Sequence, residues 1–371
     1  MNADDLNNLG LISFRTGEPA IALEHWLAAQ KLNDDPRIDM NIGFALSHLA
    51  RFDEALPHFE RAWKRDNGTH DSIRVAYGSA LIRHGRWLEA WDIYNPTVMF
   101  KAFKTGIKPW HGESLEGKEV LVTADGGFGD TLMFSRYLPE FSKLGARVSF
   151  LNTPALVPLF MDNPYFSSVN LTEQRHFDYW ISQFDLVRVF GVTPDNVLWP
   201  GPYFASNGDW RWERDDDRPH VGLCWTSTEK ATPQPWFRFR SLMQHEAQQL
   251  YDYDGVKWVN LQIDKRAPSH VIDVAIENWA DTANLLDSLD LIITVDTSIL
   301  HLAGAMGRPT WAILGGFYDA KFLLGRTDCL WYPSVRLFHN GEVGFSNSIR
   351  NVLDNLGQFV KENKECLADI A

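Results

Sequence analysis

One polar turn in this chain lies where an apolar strand gives way to a helix. The apolar run over residues 291–295 is followed by Asp296, Thr297 and Ser298, and then by a helical pattern over residues 299–306. This order leaves backbone N–H groups unpaired at the start of a helix, beside the carboxyl end of a strand. Such a turn favours an anion, usually a phosphate. Simple helix capping is the alternative, because Asp, Thr and Ser are common N-cap residues.

His301 follows Ser298 by three residues, so both side chains can lie on one face of the predicted helix. A Ser–His–Asp hydrolase is therefore a second interpretation of this segment. The Gly-x-Ser-x-Gly elbow that presents such a serine does not surround Ser298, which argues against a hydrolase.

A second polar turn follows the apolar strand predicted at residues 220–225. Thr226 and Ser227 supply hydroxyl groups there, and Arg238 and Arg240 follow before the next predicted helix. Parallel strands would bring both polar turns to the same edge of one sheet. Two hydroxyl-rich turns with arginines between them predict a site for a nucleotide diphosphate.

A glycine-rich loop lies between a predicted strand and the predicted helix 131–144. Gly126, Gly127 and Gly129 let the backbone turn sharply and let another molecule come close. The loop ends at Asp130, which is either a helix cap or, at the mouth of a cleft, a general base. The loop lacks both the Gly-x-Gly-x-x-Gly pattern and a Walker lysine, so it does not by itself indicate a dinucleotide.

Three other sequence features could suggest a metal site. Residues 252–254 have the Asp-x-Asp form, but they lie between a helix and a strand, away from the expected ligand edge. The acidic triplet 215–217 lies in a polar run that is typical of a solvated linker. The three cysteines are scattered and form no Cys-x-x-Cys pair. We therefore expect no metal.

Composition limits the class of protein. Of 371 residues, 45% are hydrophobic and 22% are charged, which is typical of a globular chain with two or three domains. The formal net charge of −13 argues against a nucleic-acid partner, because phosphate backbones need a basic surface. No apolar run reaches the roughly eighteen residues of a membrane span, and the N-terminus lacks a signal pattern. We expect a cytoplasmic protein.

A pattern of small and large residues recurs three times in the first hundred residues. The aligned positions are Gly10, Ala22 and Trp26, then Gly43, Ala55 and Phe59, then Gly78, Ala90 and Tyr94. The glycines let two helices approach closely, and the aromatic residues fill the space between pairs. The spacing resembles tetratricopeptide repeats. Such repeats bind a protein or peptide, or serve as a spacer, or pack against the next domain or a second subunit.

Several motifs together resemble a known family of enzymes. They are residues 126–131 with 134–139, residues 221–225 with 240–241, residues 281–283 with 289–302, and residues 331–333 with 336–338. The chain resembles bacterial tetratricopeptide-repeat glycosyltransferases related to the ADP-heptose:lipopolysaccharide heptosyltransferases. The resemblance covers almost the whole chain.

The resemblance implies an α-helical repeat region followed by a GT-B-like pair of Rossmann-type α/β domains. We expect helical repeats over 1–95, a linker over 96–117, an acceptor-side domain over 118–216, and a nucleotide-sugar-binding domain with a closing C-terminal helix over 217–371. The implied activity is metal-independent sugar transfer, with inversion, from a nucleotide-sugar to a protein or glycan acceptor. The nucleotide-sugar is a co-substrate, and no cofactor is expected.

The polar turns and the resemblance together give the specific site residues. Asp130 corresponds to the proposed catalytic base, and Gly126, Gly127 and Gly129 form the acceptor-side loop. Arg240 falls near a phosphate-contacting lysine of the family. The expected donor-binding residues are Thr226, Ser227, Arg240, Gln262, Asp281, Thr282, Asp296, Thr297, Ser298 and His301.

The chain also departs from the family pattern where sugar or acceptor would bind. Residues 317–320 replace an expected Asp-Trp-Arg-Trp, and residues 226–227 replace the usual Gly-Asn. The identity of the donor therefore stays open. Two alternatives to the transferase also remain: a non-catalytic repeat scaffold with a nucleotide-binding or structural domain, and a nucleotide-sugar epimerase.

Overall fold

The computed structural model describes residues 1–94, 106–161, 163–171, 176–209, 217–227, 240–263, 267–339 and 344–368. Several predicted features lie outside these ranges: residues 96–105 of the linker, residues 215–216 of the acidic triplet, and Arg238. The described residues form a helical region followed by two parallel sheets with helices around them. None of the described helices combines the length and apolarity that a membrane crossing needs.

Six helices, paired as three hairpins, form the helical region. Their bounds are α1 Ala3–Arg15, α2 Pro19–Gln30, α3 Pro36–His48, α4 Phe52–Asp66, α5 Asp71–Arg83 and α6 Trp87–Tyr94. The repeated glycines allow the close packing of each pair: a Cβ atom on Gly43 would lie 2.7 Å from the Phe59 ring. Gly10 faces Trp26 and Gly78 faces Tyr94 in the same way.

The first sheet has four parallel strands in the order β3-β2-β1-β4. The strands are β1 Glu119–Thr123, β2 Arg147–Leu151, β3 Val169–Asn170 and β4 Tyr179–Ser182. Its short helices are Phe128–Phe134, Leu138–Ser142, Val157–Phe160 and Leu186–Val189, and short 3-10 turns adjoin them at Ser135–Tyr137, Pro154–Leu156, Pro164–Phe166 and Gln183–Asp185.

The helix predicted at 131–144 differs from the structure at its start and in its continuity. It begins three residues earlier, because Gly127 is the N-cap and its N–H donates to Asp130 Oδ2 at 3.0 Å. It is also divided by a 3-10 turn, and Pro139 in the next turn lacks the N–H that a continuous helix needs.

The second sheet has six parallel strands in the order β10-β9-β8-β5-β6-β7. The strands are β5 His220–Cys224, β6 Lys257–Asn260, β7 Ile272–Asp273, β8 Leu291–Val295, β9 Thr310–Ile313 and β10 Val335–Phe338. Its helices are Gln244–Tyr251, Trp279–Asp287, Ser298–Ala305 and the closing helix Ser346–Ala368, with a 3-10 turn at Ala320–Phe322. Strand β5 lies between β6 and β8, so the strand order reverses there, and open α/β sheets bind ligands at such a switch point.

The helical region packs directly on the second α/β unit. The His48 ring stacks on Phe317 with 4.1 Å between centroids, and Trp87 stacks on Trp331 at 5.4 Å. One apolar core includes Trp87, Leu132 of the first unit and Trp331 of the second. Of the roles considered for the repeats, packing against the next domain is therefore present in the structure.

A buried arginine joins the two α/β units. Arg136 follows the helix Phe128–Phe134 and donates to the carbonyl of Trp331 at 2.6 Å and to that of Leu198 at 3.0 Å. It also donates to the Tyr203 hydroxyl at 3.0 Å. Charge-assisted bonds to the loop that carries Leu198 and Tyr203 and to the segment that carries Trp331 fix the orientation of the two units.

Candidate functional site

The candidate site lies at the carboxyl ends of β5 and β8. Thr297 is the N-cap of the helix Ser298–Ala305, yet its side chain makes no capping hydrogen bond. Instead its hydroxyl lies 3.1 Å from the Thr294 hydroxyl and 3.8 Å from Cys224 Sγ. The N–H groups of the first helical turn are therefore not capped by this side chain, and Ser298 beside them is half-buried. This geometry suits an anion.

The turn after β5 is ordered by side chains from neighbouring strands and loops. The Thr226 N–H donates to Gln262 Oε1 at 3.1 Å, and the Thr226 hydroxyl donates to the Ser227 carbonyl at 3.0 Å. The Ser227 N–H donates to the Ser241 hydroxyl at 3.1 Å. Gln262 thus acts here as a support for the Thr226 turn.

A groove lies beside this support, at the ends of β6 and β7. It has a volume of about 390 Å³ and is lined by residues 260–263 and 273–276. One wall is fixed by a hydrogen bond from Asn260 Nδ2 to Asp273 Oδ1 at 2.9 Å. The groove is large enough to hold part of a small-molecule ligand.

Two cations share the buried carboxylate of Asp296. Arg240 Nη2 donates to the backbone carbonyl of Asp296 at 3.0 Å, and the same nitrogen lies 2.9 Å from Asp296 Oδ2. Lys321 Nζ donates to Asp296 Oδ1 at 3.2 Å and lies 3.2 Å from Asp319 Oδ2. The turn predicted as the anion site therefore has an arginine and a lysine directly beside it.

These charges hold one another in the ionised form. The Asp296 carboxylate raises the pKa of Arg240. Burial opposes the charge on Lys321, but Asp296 and Asp319 raise its pKa above the usual value. Burial likewise opposes the charge on Asp319, but Lys321 and Arg240 hold its pKa well below the usual range. Arg240, Lys321 and Asp319 are therefore charged at neutral pH.

His301 is buried behind this cluster. Burial lowers its pKa well below the usual value, so the imidazole is neutral at neutral pH. Its Nδ1 is 3.0 Å from the Tyr332 hydroxyl, and its Nε2 is 3.9 Å from Asp296 Oδ1, beyond hydrogen-bonding distance. A Cβ atom on Gly129 would lie 2.6 Å from His301 Cδ2, so the glycine-rich loop packs directly on this ring. His301 is thus a contact between the two α/β units.

Asp130 belongs to the first unit and lies near enough to Lys321, Asp319 and Arg240 for their charges to act on its pKa. It is half-buried and caps its own helix through Gly127. Burial is the main cause that raises its pKa, while Lys321 and the Gly127 N–H partly oppose that rise. Gly126, with φ of +92°, packs its backbone against the Phe184 ring. A carboxyl with a raised pKa in a cleft is suited to accept a proton.

Two of the predicted donor residues make hydrogen bonds within their own helix. Asp281 Oδ2 accepts the N–H groups of Glu277 at 3.1 Å and of Asn278 at 3.2 Å. The Thr282 hydroxyl donates to the Asn278 carbonyl at 3.1 Å. Both side chains therefore support the start of the helix Trp279–Asp287.

Lys321 is a residue of the site that the sequence analysis does not predict, because no motif or strand end marks its position. A basic residue shortly after strand β9 was the available signal.

The Asp-x-Asp segment 252–254 precedes β6, at the sheet edge opposite the site. Among the described residues, no group of three His, Cys, Asp or Glu side chains could hold a metal ion.

Comparison with known proteins gives one local family match. Residues 278–319 match the family model of glycosyltransferase family 9 (heptosyltransferase). The chain is 25% identical to Protein FlbA of Caulobacter vibrioides, in an alignment that covers 91% of this chain and 64% of FlbA. The chain thus spans less than two thirds of that relative.

Solved structures of glycosyltransferases are similar at low identity. A glycosyl transferase family 9 protein from Veillonella parvula has 12% identity and a TM-score of 0.43, covering 67% of this chain and 99% of that one. The iron-containing dodecameric glycosyltransferase TibC from enterotoxigenic E. coli has 16% identity and a TM-score of 0.41, covering 55% and 60%. The segment that matches the family model, residues 278–319, contains Asp296, Thr297 and His301.

Proposed function

We propose that this protein is a glycosyltransferase that moves a sugar from a nucleotide-sugar donor to a protein or glycan acceptor. The observation that carries the proposal is the placement of the family-like segment. The uncapped start of the helix Ser298–Ala305 lies beside Arg240 and Lys321, and the loop that carries Asp130 packs on the same helix through His301.

The donor diphosphate would bind at the start of the helix Ser298–Ala305. Helix N–H groups, the Ser298 and Ser227 hydroxyls, and the two cations can stabilise the negative charge that develops on the leaving nucleoside diphosphate. The groove at residues 260–263 and 273–276 adjoins this position through Gln262 and can receive the nucleoside. With Arg240 and Lys321 supplying positive charge, transfer would not require a metal.

Asp130 would accept the proton of the acceptor hydroxyl. Its raised pKa makes it a stronger base than an ordinary carboxylate. One carboxylate on the acceptor side is compatible with a single direct displacement, which inverts the configuration at the sugar. Tetratricopeptide character of the three hairpins, and recognition of the acceptor or a second subunit by them, are further parts of this proposal.

A non-catalytic nucleotide-binding scaffold is the second candidate. Its support is that Asp296, Asp281 and Gln262 are already engaged in internal contacts. The two candidates differ in one respect: both bind a nucleotide, but only the transferase releases a nucleoside diphosphate from the donor.

A thermal-shift screen with UDP-, GDP-, ADP- and CMP-linked sugars tests donor binding. A ligand that binds only the folded state at 100 times its Kd stabilises that state by about 2.7 kcal/mol. We expect one nucleotide class to raise the unfolding temperature and the others not to. If none of the four classes raises it, the proposed donor site is wrong.

A further inference from the structure

The segment that follows β9 lies between the helical region and the candidate site. On one side, Phe317 stacks on His48, and the Tyr318 ring meets Phe52 edge-on at 6.2 Å. On the other side, Lys321 holds Asp296. Lys321, which contacts the site, is thus only four positions after Phe317, which contacts the hairpins.

Arg83, the last residue of α5, is the polar contact between the hairpins and this segment. Its Nη2 donates to the Tyr318 carbonyl. Its guanidinium lies over the Phe52 ring at 4.3 Å, the Tyr318 ring at 5.3 Å and the Phe317 ring at 5.5 Å. A planar cation held among three rings fixes the position of the backbone to which it donates.

Stability of the interface does not by itself explain an arginine at this position. The Arg83 side chain is buried, and among the described residues its Nη1 has no hydrogen-bond acceptor. Burial lowers its pKa to about 10, so it still carries a charge at neutral pH. Burying a charge is costly unless it is paired and hydrogen-bonded, so packing alone would be served by an apolar residue of similar volume. What the arginine adds to this segment is the hydrogen bond that fixes the Tyr318 carbonyl.

The contacts form a continuous path from Arg83 to the site. Arg83 fixes the carbonyl of Tyr318, and Asp319 is the next residue in the chain. Asp319 accepts the backbone N–H of Lys321 at 3.0 Å, and its carboxylate lies 3.2 Å from Lys321 Nζ. A shift of the Tyr318 backbone would therefore move the Asp319 carboxylate, which contacts both the backbone N–H and the ammonium of Lys321.

We propose that Arg83 is a positioning residue of the donor site: through Tyr318 and Asp319 it holds the Lys321 ammonium where the leaving diphosphate binds. This inference rests on the proposed function. It makes the third helical hairpin an integral part of the donor site. The hairpins therefore support nucleotide binding directly, in addition to any partner that they recognise.

A double-mutant cycle tests whether Arg83 acts through Lys321. ADP, UDP and GDP are titrated by calorimetry into the wild type, Arg83→Met, Lys321→Met and the double variant. We expect Arg83→Met to reduce the affinity for the nucleotide about tenfold, which is about 1.4 kcal/mol. In the Lys321→Met background, the same substitution should cause no further loss of affinity. Additive losses would overturn the proposal. Arg86→Met is the matched control, because Arg86 pairs with Glu89 at the surface of the next helix, and it should bind like the wild type.

Two further measurements separate positioning from general destabilisation. Arg83→Lys keeps one donor and should restore part of the lost affinity. Hydrogen exchange of the amides at 318–322 should be faster in Arg83→Met than in the wild type, with no change in β8. Unchanged exchange at 318–322 overturns the proposal even where nucleotide affinity falls. If no nucleotide binds the wild type, the proposed function fails and the role assigned to Lys321 fails with it, while exchange still decides whether Arg83 holds the segment.

Discussion

Asp130 has two roles that one substitution can separate. Its carboxylate caps the helix Phe128–Phe134, and it is the proposed base. Asn at this position can still accept the Gly127 N–H but cannot take a proton. Because burial raises the pKa of Asp130 above its ordinary value, its negative charge is less favourable in the folded state than in the unfolded chain, and removing that charge should not destabilise the fold.

We therefore expect Asp130→Asn to unfold at the wild-type temperature or higher and to lose transfer by at least 100-fold, as is typical for a general base. Calorimetric unfolding and donor turnover measure the two effects. Asp5→Asn is the control, since Asp5 also accepts the N-cap N–H of its own helix, from Asn2 at 3.0 Å, but lies in the first helical hairpin and outside the proposed site. A stable Asp130→Asn protein with wild-type turnover removes Asp130 from the mechanism.

Lys321 should contribute to binding only where phosphate is present. A hydrogen bond to a charged group contributes about 1.5–3 kcal/mol, which corresponds to a loss of roughly 10- to 100-fold in affinity for a nucleoside diphosphate in Lys321→Met. Affinity for the free nucleoside should stay the same. Lys143→Met, which removes an exposed lysine paired with Glu140, should change neither affinity. Equal losses for nucleoside and nucleoside diphosphate would contradict a phosphate contact.

The sequence predicted the polar residues at the strand ends but not their partners. The hydroxyl turns at Thr226 and Thr297 could be located because each follows an apolar strand. That Asp296 would be paired with Lys321 depends on a loop that follows a different strand, and no local pattern predicts such a contact. The sequence position of Asp281 was compatible with helix capping as well as with donor binding, since an acidic residue in the first helical turn can do either.

At the level of elements, the cleft depends on the contact between two helices. The glycine-rich loop approaches His301 so closely that Gly129 has no space for a Cβ atom. Gly129→Ala should push the helix Phe128–Phe134 away from Ser298–Ala305. We expect a loss of about 1–3 kcal/mol in the free energy of unfolding, together with weaker transfer.

Gly127→Ala is the matched control for this prediction. An added Cβ there would lie 3.8 Å from Asp130 Oδ2, an ordinary contact, and its φ of −93° suits alanine. Denaturant unfolding of the two variants measures the difference. Equal stability of Gly129→Ala and the wild type would mean that the helices separate without cost.

Elements of the two sheets were predictable because buried parallel strands form apolar runs bounded by turns. Residues 291–295 form a strand with the predicted bounds. The order of strands was not predictable, because residues that lie far apart in the chain, such as those of β5 and β8, become neighbours. The helix predicted at 131–144 is interrupted before Pro139, and the apolar pattern alone does not predict this interruption.

At the scale of the whole molecule, the docked hairpins should make the fold sensitive to acid. His48 is neutral in the folded state because burial lowers its pKa to about 4, and its Nδ1 donates to the Phe44 carbonyl at 2.8 Å. In the unfolded chain its pKa is near 6.5. This histidine therefore contributes stability that is complete above pH 6.5 and is lost as pH falls towards 4, by up to about 3 kcal/mol.

His48→Gln should reduce the dependence of the free energy of unfolding on pH between 6.5 and 4. His84→Gln is the control, because His84 makes a similar bond to the Ala80 carbonyl at 2.7 Å without stacking on the segment after β9. Denaturant unfolding at several pH values measures both. An identical pH dependence in His48→Gln and the wild type would contradict a buried neutral His48.

Release of nucleoside diphosphate from the nucleotide-sugar that binds is the most direct test of the central proposal. The wild type and Asp130→Asn are compared with the same donor, with and without candidate acceptors. We predict that both proteins bind the donor with similar affinity and that only the wild type releases the nucleoside diphosphate. Binding without release by the wild type, or equal release by both proteins, would contradict the proposed glycosyl transfer through Asp130.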